Sequence, residues 1–419
     1  MGKILKYNDD RFKSVYISFN YTLRIDSIEI AKSAISCFAL SKGCMKYKTS
    51  KEIEKYLASL YGASFDVNIE KIGDLFNFEF KVQCVNKKYL PNEEDVVIKS
   101  LEFLNEVIYN PNIIDNKFEN GIFEREKKTV ISEIEKRKDE KIKYAVSRAE
   151  ELMAKGTTAG SFVYGELESA KNTTNEMAVK SYINIIDNSL KTIILSGNLS
   201  GYENIEDDIK KIFGEKLESN IDEENILKDI NLENEYSGGV EEVKENMDTV
   251  QAAICFGMKN FKETDEDYFV ANMYNAVLGT TPSSKLFQNV REKASLAYTA
   301  RSRYYRFKKL YVIYAGIEKK NYEKAKEIIY KQIDDMKAGN ITIEEFNTAK
   351  SSILSDIKEY RDSKIAMAKY LYMNYITGKE ISLEDMEKEF EKVTLEDIIS
   401  YAQNAQVKVI YFLGGDISE

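Results

Sequence analysis

Two residues in the C-terminal half, Arg291 and Tyr298, carry groups suited to gripping a peptide, and they lie seven positions apart in the run Val290–Tyr298. A fixed guanidinium and a phenol can each donate a hydrogen bond to an oxygen whose negative charge grows in a tetrahedral transition state. A structural alternative is that Arg291 pairs with a neighbouring acid while Tyr298 packs at a sheet edge. The two residues taken alone favour that alternative. The chain has no histidine, so it lacks the side chain that most often binds catalytic zinc.

Other hydrolytic mechanisms find no support in the sequence. Without histidine, a hydrolase would need a Ser-Lys pair, a threonine nucleophile or a carboxylate dyad, and no motif for these is present. The segment Gly279–Thr281 lacks the Gly-Lys-Ser/Thr ending of a phosphate-binding loop, so we expect a turn between helices. The cysteines have no CxxC spacing and stand singly in apolar surroundings, which predicts buried, reduced thiols at Cys37, Cys44, Cys84 and Cys255.

The composition predicts a soluble, cytoplasmic protein with more than one domain. A chain of 419 residues exceeds the roughly 250 to 300 at which single cores stop growing. No stretch approaches the roughly 18 apolar residues of a membrane span, and acidic residues interrupt the N-terminus before a secretory apolar region could form. The net charge of −10 argues against a nucleic-acid partner and would tolerate basic peptides better.

Internal repetition predicts two copies of one domain. Three pairs of segments keep the same order in the two halves, with strand or hairpin patterns in the first two pairs and a capped helix leading into a strand in the third. The strands of these pairs are Phe12–Phe19 with Thr249–Phe256, Leu75–Val82 with Leu310–Ile317, and Thr192–Gly197 with Val409–Gly414. The first pair is offset by 237 positions and the second by 235.

These boundaries divide the chain into an N-terminal domain at 1–200, a linker at 201–244 and a C-terminal domain at 245–419. The linker includes a short amphipathic helix around Ile205 and Ile209, with Gly214 as its stop. Helices alternate with hairpin-like strands, which predicts an α+β class. We expect each domain to be a mainly antiparallel sheet covered on one face by helices.

Several segments together carry a family resemblance. Val277–Phe287, Val290–Lys293 and Leu296–Tyr298 resemble the second-domain signature of the M16 family, which includes pitrilysin, insulinase and mitochondrial processing peptidase. Ser295 departs from the pattern, because the family usually has glycine there. A looser resemblance extends over nearly the whole chain, including Arg125–Lys127, Ser132–Ile134 and Gly339–Ala349. The resemblance implies two homologous domains that form half of a clam-shell chamber.

The same resemblance locates the positions where active members hold zinc. Their first domain carries His-x-x-Glu-His shortly before a Lys-Gly step, which is Lys42–Gly43 here. Counting back places the histidine positions on Ala34 and Phe38 and the general-base position on Cys37. The stretch Ala31–Met45 contains no His, Asp or Glu, so it cannot supply ligands or a base for zinc chemistry.

Glu126 and Glu133 match the family's later glutamates, one of which is a zinc ligand in active members. Their spacing of seven places them on one helical face. Without the other ligands they are remnant carboxylates, and charged residues on a helix so rich in Glu and Lys usually form a solvated face.

The resemblance implies that Arg291 and Tyr298 bind the substrate backbone, and with the surrounding signature intact we favour that role. Lost zinc ligands beside a kept Arg/Tyr pair resemble the non-catalytic half of a heterodimer, and in particular the bacterial YfmF-type group, which is associated with elongation factor P modification. The leading hypothesis is a non-catalytic subunit that holds no cofactor and binds peptide or unfolded protein for a zinc-bearing partner subunit. The alternative is a non-proteolytic scaffold for a peptide or translation-factor client.

Overall fold

A computed structural model of the chain describes residues 2–92, 94–155, 157, 160–219, 221–227, 239–249 and 251–414. The strands are β1 (Lys3–Asn8), β2 (Ser14–Arg24), β3 (Ser64–Ile72), β4 (Leu75–Val85), β5 (Ile113–Ile114), β6 (Lys117–Phe118), β7 (Leu190–Gly197), β8 (Glu241–Asn246), β9 (Ala252–Asn260), β10 (Ala297–Tyr305), β11 (Leu310–Ile317) and β12 (Ala405–Gly414).

The α-helices are α1 (Ile30–Leu40), α2 (Ser50–Ser59), α3 (Val96–Tyr109), α4 (Asn120–Lys136), α5 (Lys141–Met153), α6 (Leu167–Asn172), α7 (Asn175–Asn188), α8 (Ile205–Phe213), α9 (Glu223–Leu227), α10 (Tyr268–Asn275), α11 (Tyr322–Lys337), α12 (Ile343–Tyr360), α13 (Lys364–Thr377), α14 (Leu383–Lys392) and α15 (Leu395–Ala402). Two wider helical segments, Ala276–Thr280 and Phe287–Lys293, lie between α10 and β10.

Two five-stranded sheets have the same topology. The first has the order β1-β7-β2-β4-β3 and the second, read from its other edge, β8-β12-β9-β11-β10. In each, the outermost strand β1 or β8 is parallel to its neighbour and every other pairing is antiparallel. The predicted α+β class with two mainly antiparallel sheets is therefore confirmed.

The strand register refines the offset between the two repeats. Arg24 pairs with Leu75 in the first sheet, and Lys259 pairs with Leu310 in the second. Both members of this pair have moved by 235 positions, whereas Tyr16, opposite Ser196, and Ala253, opposite Leu413, are 237 positions apart, so the two neighbouring strands give the two predicted offsets. Because side chains alternate with period two along a strand, a shift of two keeps every residue on its predicted face.

Contacts divide the chain into two compact units that do not follow the chain continuously. The first contains Met1–Glu135, Phe162–Ile230 and Tyr360–Glu380, and the second contains Lys136–Ser161, Asn231–Glu359 and Ile381–Glu419. The repeats predicted two contiguous ranges, 1–200 and 245–419. Each range contains one helix that packs on the sheet formed by the other range. These helices are α5 and α13.

The two exchanged helices cover the second face of each sheet, whereas the sequence predicted helices on one face only. In the second unit, Tyr144 and Ala149 of α5 pack on Cys255 and Tyr411 of the sheet. In the first unit, the Tyr372 hydroxyl of α13 lies 2.5 Å from the Thr22 hydroxyl on the polar face of β2. Each sheet is therefore the middle layer of three.

The described residues of the predicted linker are largely folded. Ile205, Ile209 and Phe213 of α8 are buried in the core of the first unit, and β8 extends the second sheet. Gly214 ends α8 with a positive φ of 53°, as its position predicted. Residues 228–238 lie outside the described residues.

Capping side chains confirm the two predicted helix starts that lead into the last strand of each repeat. Thr174 accepts a hydrogen bond from the Met177 amide at 3.3 Å, and Thr394 forms a capping box with Asp397. All four cysteines are free and buried, as predicted. Across the described ranges, no helix is both long and apolar enough to cross a membrane.

Candidate peptide-binding site

Arg291 lies on the helical segment Phe287–Lys293, which packs against β10 in the second unit. Its guanidinium carbon is 4.5 Å from the centroid of the Phe287 ring, one helical turn earlier. The Nε atom is 3.6 Å from Oε1 of Glu292, and the side chain is 43% exposed. Stacking on Phe287 orients the planar guanidinium, and its other donors remain open to a ligand.

The turn between Arg291 and β10 has the conformation that explains the family's glycine. Ser295 has φ = 51°, in the left-handed region that residues with a β-carbon rarely adopt. The Leu296 amide donates to the Val290 carbonyl at 3.1 Å, which closes the turn over this residue. The turn therefore keeps the left-handed backbone that glycine would favour, although the residue here is serine.

Tyr298 is placed by an irregularity in the edge strand. Along β10 the register with β11 shifts between Ala297, opposite Ile317, and Thr299, opposite Gly316, so Tyr298 is the extra residue of a β-bulge. Its side chain is 75% exposed, the highest value among the exposed large hydrophobic residues of the described chain. A bulge at the rim of a sheet re-aims one side chain, and here it presents a phenol to solvent.

A close backbone contact supports β10 from the helix side. The hydroxyl of Ser302 donates to Oδ1 of Asn275 at 2.7 Å, and a β-carbon built on Gly279 would lie 2.5 Å from the Ser302 backbone nitrogen. This close approach is what requires glycine at 279. The backbone dihedral does not require it, because a φ of −161° is open to any residue. The predicted turn Gly279–Thr281 is thus a support for the edge strand as well as a junction between helical segments.

Two further residues of β10, Arg301 and Arg303, are exposed beside Tyr298, and the functional interpretation of the sequence did not include them. The signal was present, because arginine recurs at 301 and 303 with the period of a strand and a third arginine follows at 306. The net negative charge of the whole chain does not reveal such a local basic segment.

The positions that correspond to the zinc motif lie in an apolar, aromatic environment. Ala34 and Cys37 of α1 are fully buried in the core of the first unit. Burial raises the pKa of the Cys37 thiol well above its usual range, which favours the neutral thiol over the thiolate. Phe38 is half-buried with its ring centroid 5.9 Å from that of Tyr164, which meets Phe162 at 5.7 Å.

The two remnant carboxylates have different surroundings. Glu126 is buried and accepts a hydrogen bond from Nε of Arg125 at 2.8 Å, so it differs from the predicted solvated face. Glu133 is exposed. Burial, followed by the charges of Glu133 and Asp66, raises the pKa of the Tyr164 phenol. Within the part of the chain that the structure describes, no three His, Cys, Asp or Glu side chains come together as a metal site.

Comparison with known protein families places this arrangement in context. Residues 185–353 match the family model described as "Peptidase M16 inactive domain", and this range contains both Arg291 and Tyr298. Over 97% of the chain, the sequence is 29% identical to a protein of Bacillus subtilis (strain 168) named "Probable inactive metalloprotease YmfF", of which it covers 94%.

Two more distant relatives extend the comparison. The beta subunit of the mitochondrial-processing peptidase of Dictyostelium discoideum is 23% identical over 224 residues, which is 52% of this chain and 44% of that protein. The crystal structure of a conserved protein from Enterococcus faecalis V583 superposes with a TM-score of 0.88 at 22% identity, covering 99% of this chain and 97% of that one. The last comparison supports the fold alone.

Proposed function

We propose that this chain is a non-catalytic member of the M16 peptidase family, a subunit that binds peptide substrate for a zinc-bearing M16 partner. The substrate-binding half and the metal-binding half of the site differ in this sequence. The segment that would contact a substrate backbone is retained, whereas the segment that would hold the metal is apolar.

The exposed Tyr298 at its bulge is the observation that carries the proposal. A tyrosine that served only packing would be buried against the sheet, yet this one is 75% exposed on an edge strand. The left-handed turn at Ser295 is kept although serine makes it unfavourable. Both features keep Arg291 and Tyr298 available at one end of β10, where an extended peptide could pair with the strand edge and receive their hydrogen bonds.

Zinc is expected in the partner subunit only. Ala34, Cys37 and Phe38 offer no ligand atoms suited to zinc, and Glu126 already has an ion-pair partner in Arg125. That one relative is named as a subunit of a processing peptidase supports a two-chain assembly for this protein. The division of labour would place metal chemistry on the partner and substrate orientation on this chain.

The test is turnover of a peptide by the purified two-chain complex. Arg291→Ala should lower kcat/KM by about 10- to 100-fold while the complex stays intact in size-exclusion chromatography, since one charge-assisted donor near a developing oxyanion contributes about 1.5 to 3 kcal/mol. Lys293→Ala is the matched control, because Lys293 is an exposed cation on the same helical segment.

Unchanged turnover in Arg291→Ala would refute the proposal that this residue acts on the substrate. A complex that binds peptide but neither contains zinc nor cleaves would favour the alternative, a scaffold that holds a peptide or a translation-factor client for another enzyme. In that case Arg291→Ala should weaken peptide binding without any effect on cleavage.

A further inference from the structure

The segment from β10 into the following turn is strongly basic in an acidic protein. Residues 297–309 contain five Arg or Lys residues and no Asp or Glu. Three of the five have partners outside this segment: Lys308 meets Glu150 at 3.0 Å, Lys309 meets Asp265 at 3.2 Å, and the Arg306 guanidinium lies 4.2 Å from the centroid of the Tyr268 ring. The remaining two are Arg301 and Arg303.

Among the described residues, neither Arg301 nor Arg303 has a carboxylate within ion-pair distance. The charge of Glu150 acts on Arg303, but this carboxylate already accepts hydrogen bonds from the Tyr305 hydroxyl and from Lys308, the latter at 3.0 Å. Arg303 interacts instead with Tyr305, which raises the pKa of its guanidinium. Two exposed guanidinium groups therefore retain unused hydrogen-bonding capacity for a carboxylate.

Both arginines point to the same face of the second sheet. Arg301 lies opposite Tyr314, which in turn pairs with Cys255, and Arg303 lies opposite Val312. Cys255 and Val312 belong to the core that α5 covers, so the arginines stand at the border of that helix. Residues two apart on a strand are about 6.6 to 6.8 Å apart, which matches alternate side chains of an added strand.

The outer edge of β10 is available for such a strand. β10 pairs with β11 on one side only, and the described residues supply no backbone hydrogen bond to its other side. An extended peptide paired there would place its residues about 4.5 to 5.5 Å from those of β10 across the new pair. Side chains opposite Arg301 and Arg303 would then lie within reach of the two guanidinium groups.

We propose that the β10 edge selects an extended peptide segment with acidic residues at alternating positions, which pair with Arg301 and Arg303. This inference rests on the proposed function and names the substrate class for the same strand. It opposes the expectation from net charge that basic peptides would be tolerated better, because the local field at the strand edge has the opposite sign to that of the whole chain.

The test measures binding of labelled nine-residue peptides to the full isolated chain by fluorescence anisotropy at low ionic strength. One peptide has glutamate at three alternate positions among threonine and valine, and its twins have glutamine or lysine there. Two cross-strand charge pairs should make the glutamate peptide bind about 3- to 10-fold more tightly than the glutamine peptide, with the lysine peptide weakest. The preference should shrink in about 1 M NaCl.

The double variant Arg301→Gln/Arg303→Gln should bind the glutamate and glutamine peptides equally, with an unchanged thermal unfolding temperature. The matched control is Lys324→Gln/Lys331→Gln, which removes two exposed cations from α11. That helix covers the opposite face of the sheet, where Tyr330 meets Phe256 with ring centroids 5.2 Å apart. The control should keep the preference for glutamate.

Equal binding of the glutamate and glutamine peptides by the unmodified chain would overturn the inference and leave peptide capture by β10 standing. A preference that survives in Arg301→Gln/Arg303→Gln would also overturn it, since the selectivity would then arise elsewhere on the surface. Failure of all three peptides to bind would overturn both this inference and the proposed function.

Discussion

Ser295→Gly should stabilise the second unit, because Ser295 holds a left-handed backbone with φ = 51°. A residue with a β-carbon is destabilised there by about 1 to 2 kcal/mol relative to glycine. Glycine gains more freedom in the unfolded chain, which offsets about 0.5 to 1 kcal/mol of that difference. The bond from the Ser295 hydroxyl to the Glu292 carbonyl is exposed and 3.4 Å long, so its loss adds little.

The net gain in unfolding free energy is therefore about 0.5 to 1 kcal/mol. For a unit of this size it should raise Tm by roughly 1 to 4 °C in calorimetry. Ser295→Ala is the control, since alanine retains the β-carbon and should give no such gain. If the glycine variant were no more stable than the alanine variant, the left-handed turn would not carry the strain assigned to it, and the account of how the loop reaches Tyr298 would be wrong.

Two further predictions concern the supports of β10 and its neighbours. Gly279→Ala should lower the unfolding free energy by about 1 to 3 kcal/mol, because the new β-carbon would lie 2.5 Å from the backbone nitrogen of Ser302. The control Gly239→Ala should be close to neutral, because a β-carbon there would have nothing within 4 Å. Equal effects of the two substitutions in denaturant titrations would contradict this prediction. Burial raises the pKa of Glu263 above its usual range, although the hydroxyls of Tyr304 and Tyr401 donate to its carboxylate. The unfolding free energy should therefore fall as pH rises from about 4.5 through the folded-state pKa of Glu263, and Glu263→Gln should remove that slope. An unchanged slope in the variant would rule Glu263 out as its source.

Local patterns predicted the elements and their duplication because those features are encoded within short windows. Alternating apolar residues in Leu75–Val82 and Leu310–Ile317 placed both hairpins, and capping residues such as Thr174 and Thr394 fixed two helix starts. The two repeats then predicted two sheets of the same design, which the strand orders confirm.

The exchange of α5 and α13 between the units could not be predicted from periodicity. An amphipathic helix shows which of its own faces is buried, but not which sheet covers that face. The contact of Tyr372 with Thr22 joins residues 350 positions apart, which no local window contains. The exact offset between the repeats has a related dependence, since strand register is defined only against a partner strand.

The candidate site was predicted in its residues and not in its geometry. Sequence identified Arg291, Tyr298 and the unusual Ser295, whose roles in substrate binding stay a prediction. It could not show the bulge at Tyr298, because a bulge is a property of two paired strands. That Arg301 and Arg303 have no carboxylate partner among the described residues likewise depends on where the acids of α5 lie.

The most direct test of the central claim is isolation of this chain with its partner from native extract, followed by zinc analysis and peptide cleavage on the complex and on the chain alone. The account predicts a stoichiometric partner that carries His-x-x-Glu-His, with about one zinc per complex and cleavage only when both chains are present. A stoichiometric complex with neither zinc nor cleavage would contradict the peptidase-subunit proposal and make this chain a peptide-binding scaffold.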